Sequence, residues 1–145
     1  MIGRHPSENV RVVASLGMPF ILVFGVYVIA HGHYGPGGGF AGGVILAVGI
    51  VLARLTTAPE LLERAVPPIA AVISMIVGMG VFLAVAIIPL VFGGELLDYA
   101  AIEGTGLTDS RLRYLGIMVV EFAVGAVVFG GILSIFDRLA SQVKQ

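Results

Sequence analysis

The 145-residue chain contains no cysteine, which excludes disulfides, iron–sulfur clusters and thiolate zinc sites and leaves the redox compartment open. Lysine is nearly absent as well. Lys144 is the only one, so no Lys-Ser/Thr pair exists for a phosphate-binding P-loop and no apolar run carries a lysine. Charged residues make up 12% of the chain and the net charge is -1, so there is no basic surface to hold nucleic acid. What fills the sequence instead is apolar. Hydrophobic residues account for 58% and the mean hydropathy is +1.06, a composition that belongs in a lipid bilayer.

Uncharged runs define the candidate spans. Val12 to Ala30 gives 19 uncharged residues, enough to cross a hydrocarbon core of about 30 Å at about 1.5 Å per residue. A cleaved signal peptide is the rival reading, since Arg4 and Arg11 precede the run, but the run exceeds an h-region of about 7–15 residues and contains Pro19. Pro19 removes a helical hydrogen bond and is expected to bend this span. Phe40 to Ala53 is uncharged over only 14 residues, about 21 Å as a helix, so the glycine-rich stretch before it must supply depth. Backbone of that kind is tolerated at membrane depth only where neighbouring helices or partner subunits cover it.

Thr57 and Glu60 have the spacing of a capping box and predict a short interfacial helix within 54–65. Pro67 and Pro68 suit the first turn of a third span that runs to Phe92, with Pro89 near its far end. A connection over 93–113 holds Glu95, Asp98, Glu103 and Asp109, and Thr108-Asp109-Ser110 marks a helix start. The fourth span is Tyr114 to Phe136, after which Phe136, Leu139 and Val143 on one face predict a tail lying along the interface. The expected fold is therefore all-α, one polytopic membrane domain over 1–145. It is a bundle of four transmembrane helices, at about 12–30, 36–54, 68–92 and 114–136, with a glycine-rich break before the second. If both termini share one side, that side holds Arg4, Arg11, Arg54, Arg64, Arg138 and Lys144 against Arg111 and Arg113 opposite. This balance predicts cytoplasmic termini and places the His–Gly stretch and the acidic 93–113 connection together on the outer face.

The stretch "HGHYGPGGGFAGG", residues 31–43, admits several readings. Gly37, Gly39 and Gly42 formally match the dinucleotide fingerprint G-x-G-x-x-G, but that fingerprint needs a soluble βαβ unit and here a membrane run precedes it. His31 and His33 are imidazoles two residues apart that cannot complete a metal shell by themselves, so they read as solvated or hydrogen-bonded side chains at a helix end. Haem is disfavoured because none of His5, His31 and His33 lies at span depth. No metal, cofactor or catalytic constellation is expected. The glycines are read as packing and turn. Gly39, Gly43 and Ala47, and likewise Gly38 and Gly42, repeat at four-residue intervals and would let other helices approach the second span closely, burying it. Pro36 fixes one dihedral, and Gly37 to Gly39 can take conformations closed to other residues, so the chain can break and re-enter as a helix.

Glu121 is the one charge inside the fourth span, about 10 Å below Tyr114 by helical rise. A bare charge there would cost at least a few kcal/mol, so the carboxyl must be neutral, paired or hydrated. It is either a protonated group hydrogen-bonded to a neighbouring helix or a station on a proton or sodium path. No basic residue within a span can pair with it; Arg111 and Arg113 lie two to three turns away, and a partner on another subunit is the alternative. Gly125, one turn on, offers room for close packing. Ser74, Tyr27 and Ser134 can each bond their own helix or a neighbour.

Gly32-His33 leading to Pro36-Gly37-Gly38-Gly39-Phe40 and then Gly42-Gly43 resembles the G-H-x-x-P-G-G-G-F-x-G-G signature of the MnhB/MrpB-like family, small membrane subunits of Mrp-type multisubunit sodium/proton antiporters. The same subunit type recurs in energy-conserving membrane-bound hydrogenases and related respiratory complexes. The resemblance implies an accessory subunit in a prokaryotic cell membrane, next to large complex-I-like antiporter subunits and other small subunits that handle Na+ and H+. Glu121 would then be the ion-pathway candidate. A purely structural subunit is the alternative, and an autonomous homo-oligomeric transporter the third reading.

Overall fold

Apolar runs of this length leave the backbone one way to bond in lipid, which is within a helix. The computed structural model describes residues 7–35, 37–57, 66–101 and 108–143, and four long helices dominate it. They are α1 (Glu8–Ala30), α2 (Gly38–Thr56), α3 (Pro68–Val91) and α4 (Asp109–Val143), with one 3-10 turn at Tyr99–Ala101. Each of the four is long and apolar enough to cross a membrane. The chain is an all-helical, multi-pass membrane protein.

Local chemistry places the helix ends. Pro67 and Pro68 open α3, where the missing N–H is harmless, and the Pro67 carbonyl accepts the Ala70 N–H at 2.9 Å. The Thr108 carbonyl accepts the N–H groups of Arg111 and Leu112, at 2.9 and 3.0 Å, so the expected start at Thr108-Asp109-Ser110 is where α4 begins. Gly93, at φ +80°, follows the end of α3, and the Gly94 N–H turns back to the Pro89 carbonyl at 3.1 Å. α1 runs through Pro19 as one continuous helix. The segment carrying residues 136–143 is continuous with the fourth span in one 35-residue helix rather than a separate element. The expected interfacial helix near Thr57–Glu60 falls largely outside the described residues.

Lipid is as apolar as leucine, so close backbone contact, rather than an oil-drop core, holds such helices together. α2 packs against α1 and α4, and α4 packs in turn against α3. A Cβ added at Gly42 would collide with Ile29 and the Gly25 carbonyl, and one at Gly49 would lie 3.0 Å from Leu22, so α1 and α2 run antiparallel through these contacts. Gly78 sits against Ala123 and Val127 while Gly130 sits against Ala71 and Met75, which makes α3 and α4 antiparallel. Gly39 meets Glu121 and Gly43 meets Gly125 and Val128, so α2 and α4 are parallel. Consecutive helices thus alternate in direction, which brings Glu8 and Val143 to the same end. Ala47, Ile50, Ala71 and Leu133 form the buried centre. As the four-residue glycine spacing predicts, α2 is the enclosed helix: 44% of its apolar window is buried, against 17% in α1 and α3. The outer faces of α1 and α3 expose large apolar side chains such as Phe20, Val23, Ile76 and Val91, as a surface meant for lipid or another membrane subunit does.

Polar groups at depth mostly find helix partners. The Ser74 hydroxyl donates to the Ala126 carbonyl across the α3–α4 contact at 2.9 Å. Ser134 does not follow this pattern, since its hydroxyl oxygen is buried without a hydrogen-bond partner among the described residues. At the end of the bundle nearest the termini, Arg54 near the close of α2 forms an ion pair with Asp137 of α4 and donates to the Val66 carbonyl at 3.1 Å. Both side chains are mostly enclosed, at 12% and 20% exposure. Breaking one partner of an enclosed pair leaves the other charge uncompensated, at a cost of about 3–5 kcal/mol. Arg54→Ala or Asp137→Ala should therefore lower the melting temperature of the detergent-solubilised protein markedly. The double variant should lose much less than the sum of the two.

Candidate functional site

The break between α1 and α2 is built by hydrogen bonds that close the first helix before the second opens. The His31 N–H bonds the Tyr27 carbonyl at 2.9 Å, the Gly32 N–H bonds the Ile29 carbonyl at 3.2 Å, and the Tyr34 N–H bonds the His31 carbonyl at 3.0 Å. The chain then reverses through Gly37 at φ +146° and Gly38 at φ +78°, conformations that L side chains rarely adopt. Pro36 lies outside the described residues.

This turn ends directly on a carboxyl group. The backbone N–H of Gly39, in the first turn of α2, donates a short hydrogen bond to Oε2 of Glu121 on α4. The first turn of a helix carries unpaired N–H groups and the positive end of the helix dipole, so it is a natural counterpart to a carboxylate. Among the described residues, the hydrogen-bond partner of Glu121 is a backbone amide of the same chain.

Glycine is what lets the carboxyl reach that amide. A Cβ on Gly38 would stand 2.6 Å from Oε2 and 2.9 Å from Oε1 of Glu121, and one on Gly32 would meet the Gly38 backbone and lie 3.2 Å from the Glu121 Cδ. A Cβ on Gly39 would collide with the Glu121 carbonyl oxygen. Gly32, Gly38 and Gly39 therefore form a side-chain-free cradle around a half-buried carboxyl. Gly42 and Gly43 serve the helix contacts on either side, the first toward α1 and the second toward Gly125 of α4. Phe40 is 67% exposed.

The two histidines part company. His31 is exposed and its ring stacks on Tyr27, with centroids 4.7 Å apart. His33 is half-buried, tilted against Tyr34 at 4.0 Å and edge-on to Tyr114 of α4 at 4.7 Å. Neither of its ring nitrogens is reached by solvent, and neither has a hydrogen-bond partner among the described residues. On the sides of Tyr34 and Tyr114 the His33 ring meets aromatic faces and edges instead of hydrogen-bond acceptors. Tyr114 is not legible from sequence as a site residue, although it stands two helical turns before Glu121 on the same face. No group of three or more His, Asp or Glu poised for a metal occurs among the described residues. Between α3 and α4, Tyr99 of the 3-10 turn lies over Gly116, where a Cβ would come within 2.7 Å of its ring. Burial pushes the Tyr99 phenol above its ordinary range, so it stays neutral well into alkaline conditions.

The cradle makes a sharp stability contrast. Gly38→Ala places a methyl group against the carboxylate at a strained φ and should destabilise the protein by about 1–3 kcal/mol, read as a lower melting temperature. Gly35→Ala, where nothing lies within 4 Å, should change stability by less than about 0.5 kcal/mol.

Comparison with known proteins gives this arrangement a family. Proteins carrying the name antiporter subunit mnhB2 in Staphylococcus aureus strains Newman, JH1 and Mu3 are each 42% identical to the chain over 89 residues, 61% of this chain and 62% of theirs. The match thus spans less than two thirds of those relatives' length. A family profile described as a domain related to the MnhB subunit of Na+/H+ antiporter matches residues 9–134, which takes in all of α2 and α3, most of α1 and α4, and the glycine cradle with Glu121. The chain belongs to that MnhB-related family.

Proposed function

We propose that the chain is a non-catalytic integral subunit of a prokaryotic multisubunit Na+/H+ antiporter, working alongside large complex-I-like subunits and other small membrane subunits in the cell membrane. The antiporter module of an energy-conserving membrane-bound complex such as a hydrogenase is a parent of the same kind. Family membership supports the antiporter setting. The alternating helices put Glu8 and Val143 at one end, and the arginine balance supports a cytoplasmic position for that end.

The single observation that carries a part in ion movement is the Glu121 carboxyl held at the first turn of α2. A carboxyl inside a span is costly unless it is used or satisfied, and here it meets a helix N-terminus beside a chain break. Past Glu121 the α2–α4 seam is closely packed, with Gly43 on Gly125 and Ala47 near Leu133, and the onward route is read as belonging to neighbouring subunits.

The structural reading keeps one observation in its favour: the Gly39 N–H already satisfies the carboxyl. Glu121→Gln separates the two, because the amide keeps shape and still accepts that bond but does not ionise. Measured in everted vesicles with the whole complex present, the variant should assemble normally and lose Na+/H+ exchange. Normal assembly with unchanged exchange makes Glu121 a packing residue.

A further inference from the structure

We propose that His33 is a second proton-carrying group of the Glu121 site, passing protons between the loop end of the bundle and the carboxyl through bound water. This rests on the ion-pathway reading of Glu121.

The first observation is chemical. A neutral imidazole has one N–H donor and one acceptor nitrogen, yet both nitrogens of His33 are buried with no partner among the described residues. Buried polar atoms are nearly always bonded, and one left without a partner calls for a reason. Packing alone would be served better by a phenylalanine, which fills the same space between Tyr34 and Tyr114 with no polar atoms to desolvate.

The second observation is positional. His33 follows Gly32, whose own backbone lies against the Glu121 carboxyl and against Gly38. Its ring rests on Tyr114, seven residues before Glu121 on one face of α4, about 10 Å away along the helix. The imidazole therefore stands on the loop side of the carboxyl, on the route a proton would take from the helix break. Among the described residues, the titratable groups against the His33 ring are Tyr34 of the connecting turn and Tyr114 of α4, with His31 on the Tyr34 ring. Of these side chains an imidazole is the one with both a donor and an acceptor nitrogen, so it can take up a proton on one and release it from the other. In the transfer, the imidazolium N–H gives its proton to a water, and that water gives one to the Glu121 carboxylate. One N–H bond breaks, one O–H bond forms, and total charge is conserved.

The test uses the assembled complex in everted vesicles, with exchange measured across pH 6 to 9 for wild type, His33→Gln, Glu121→Gln and the double variant. His33→Gln keeps hydrogen bonding but has no ring nitrogens to take up and release a proton. It should assemble, lower exchange by at least about tenfold, and flatten the limb of the pH profile near neutrality, with the double variant no worse than Glu121→Gln. An assembled His33→Gln complex with the wild-type pH profile overturns the proposal, even where Glu121→Gln abolishes exchange and the ion-pathway reading stands. Unchanged exchange in Glu121→Gln removes the underlying reading itself. His33→Asn serves as a second variant, and failure of both to assemble also counts against the proposal, since a structural role then accounts for the residue.

Discussion

The contact between the Gly39 amide and the Glu121 carboxyl is the constraint on which the rest of the arrangement depends. The first turn of a helix has N–H groups with no partner in the helix, and a carboxyl inside an apolar span is costly unless something satisfies it. Each would be expensive alone, and joining them offsets both. The geometry they require is narrow, however. The two backbones must come so close that no side chain fits between them, and the chain must turn through positive φ immediately before the helix starts. Gly32, Gly37, Gly38 and Gly39 are glycines for those reasons.

From that point the packing propagates in both directions along α2. On one side, Gly39 and Gly43 carry the close approach to α4 down toward Ala47 and Leu133, and the Arg54–Asp137 pair closes the same seam at its other end. On the other side, Gly42 and Gly49 admit Ile29 and Leu22 of α1. α2 is in this sense a wedge of small residues between two larger helices, pinned at each end by a polar contact. It also leaves the broad apolar faces of α1 and α3 to lipid and to whatever subunits stand against them.

Much of this is written in the sequence in readable form. Span positions follow from uncharged runs, and the four-residue spacing of Gly39, Gly43 and Ala47 correctly marks α2 as the enclosed helix. Glu121 stands out because a lone acid in an apolar run is conspicuous. What sequence does not show is which partner such a group finds. A backbone amide is the same in every residue, so the Gly39 N–H carries no letter that singles it out, and looking for a basic residue passes over it. Asp137 and Arg54 escape notice for a related reason. Each looks like an ordinary interfacial charge at a span end, and only the parallel course of α2 and α4 brings residues 83 positions apart into contact. His33 is a further case, since a polar letter near a loop gives no sign of the rings of Tyr34 and Tyr114 that stand against it.

The most direct measurement is an electron cryo-microscopy structure of the intact complex containing this chain, at a resolution that shows side chains and ordered water. The account predicts that the Glu121 carboxyl sits on the Gly39 amide at the start of α2, with the glycine cradle intact and a neighbouring subunit adjoining the chain break. A Glu121 side chain turned away from α2 and paired with a lysine or arginine of another subunit would contradict it.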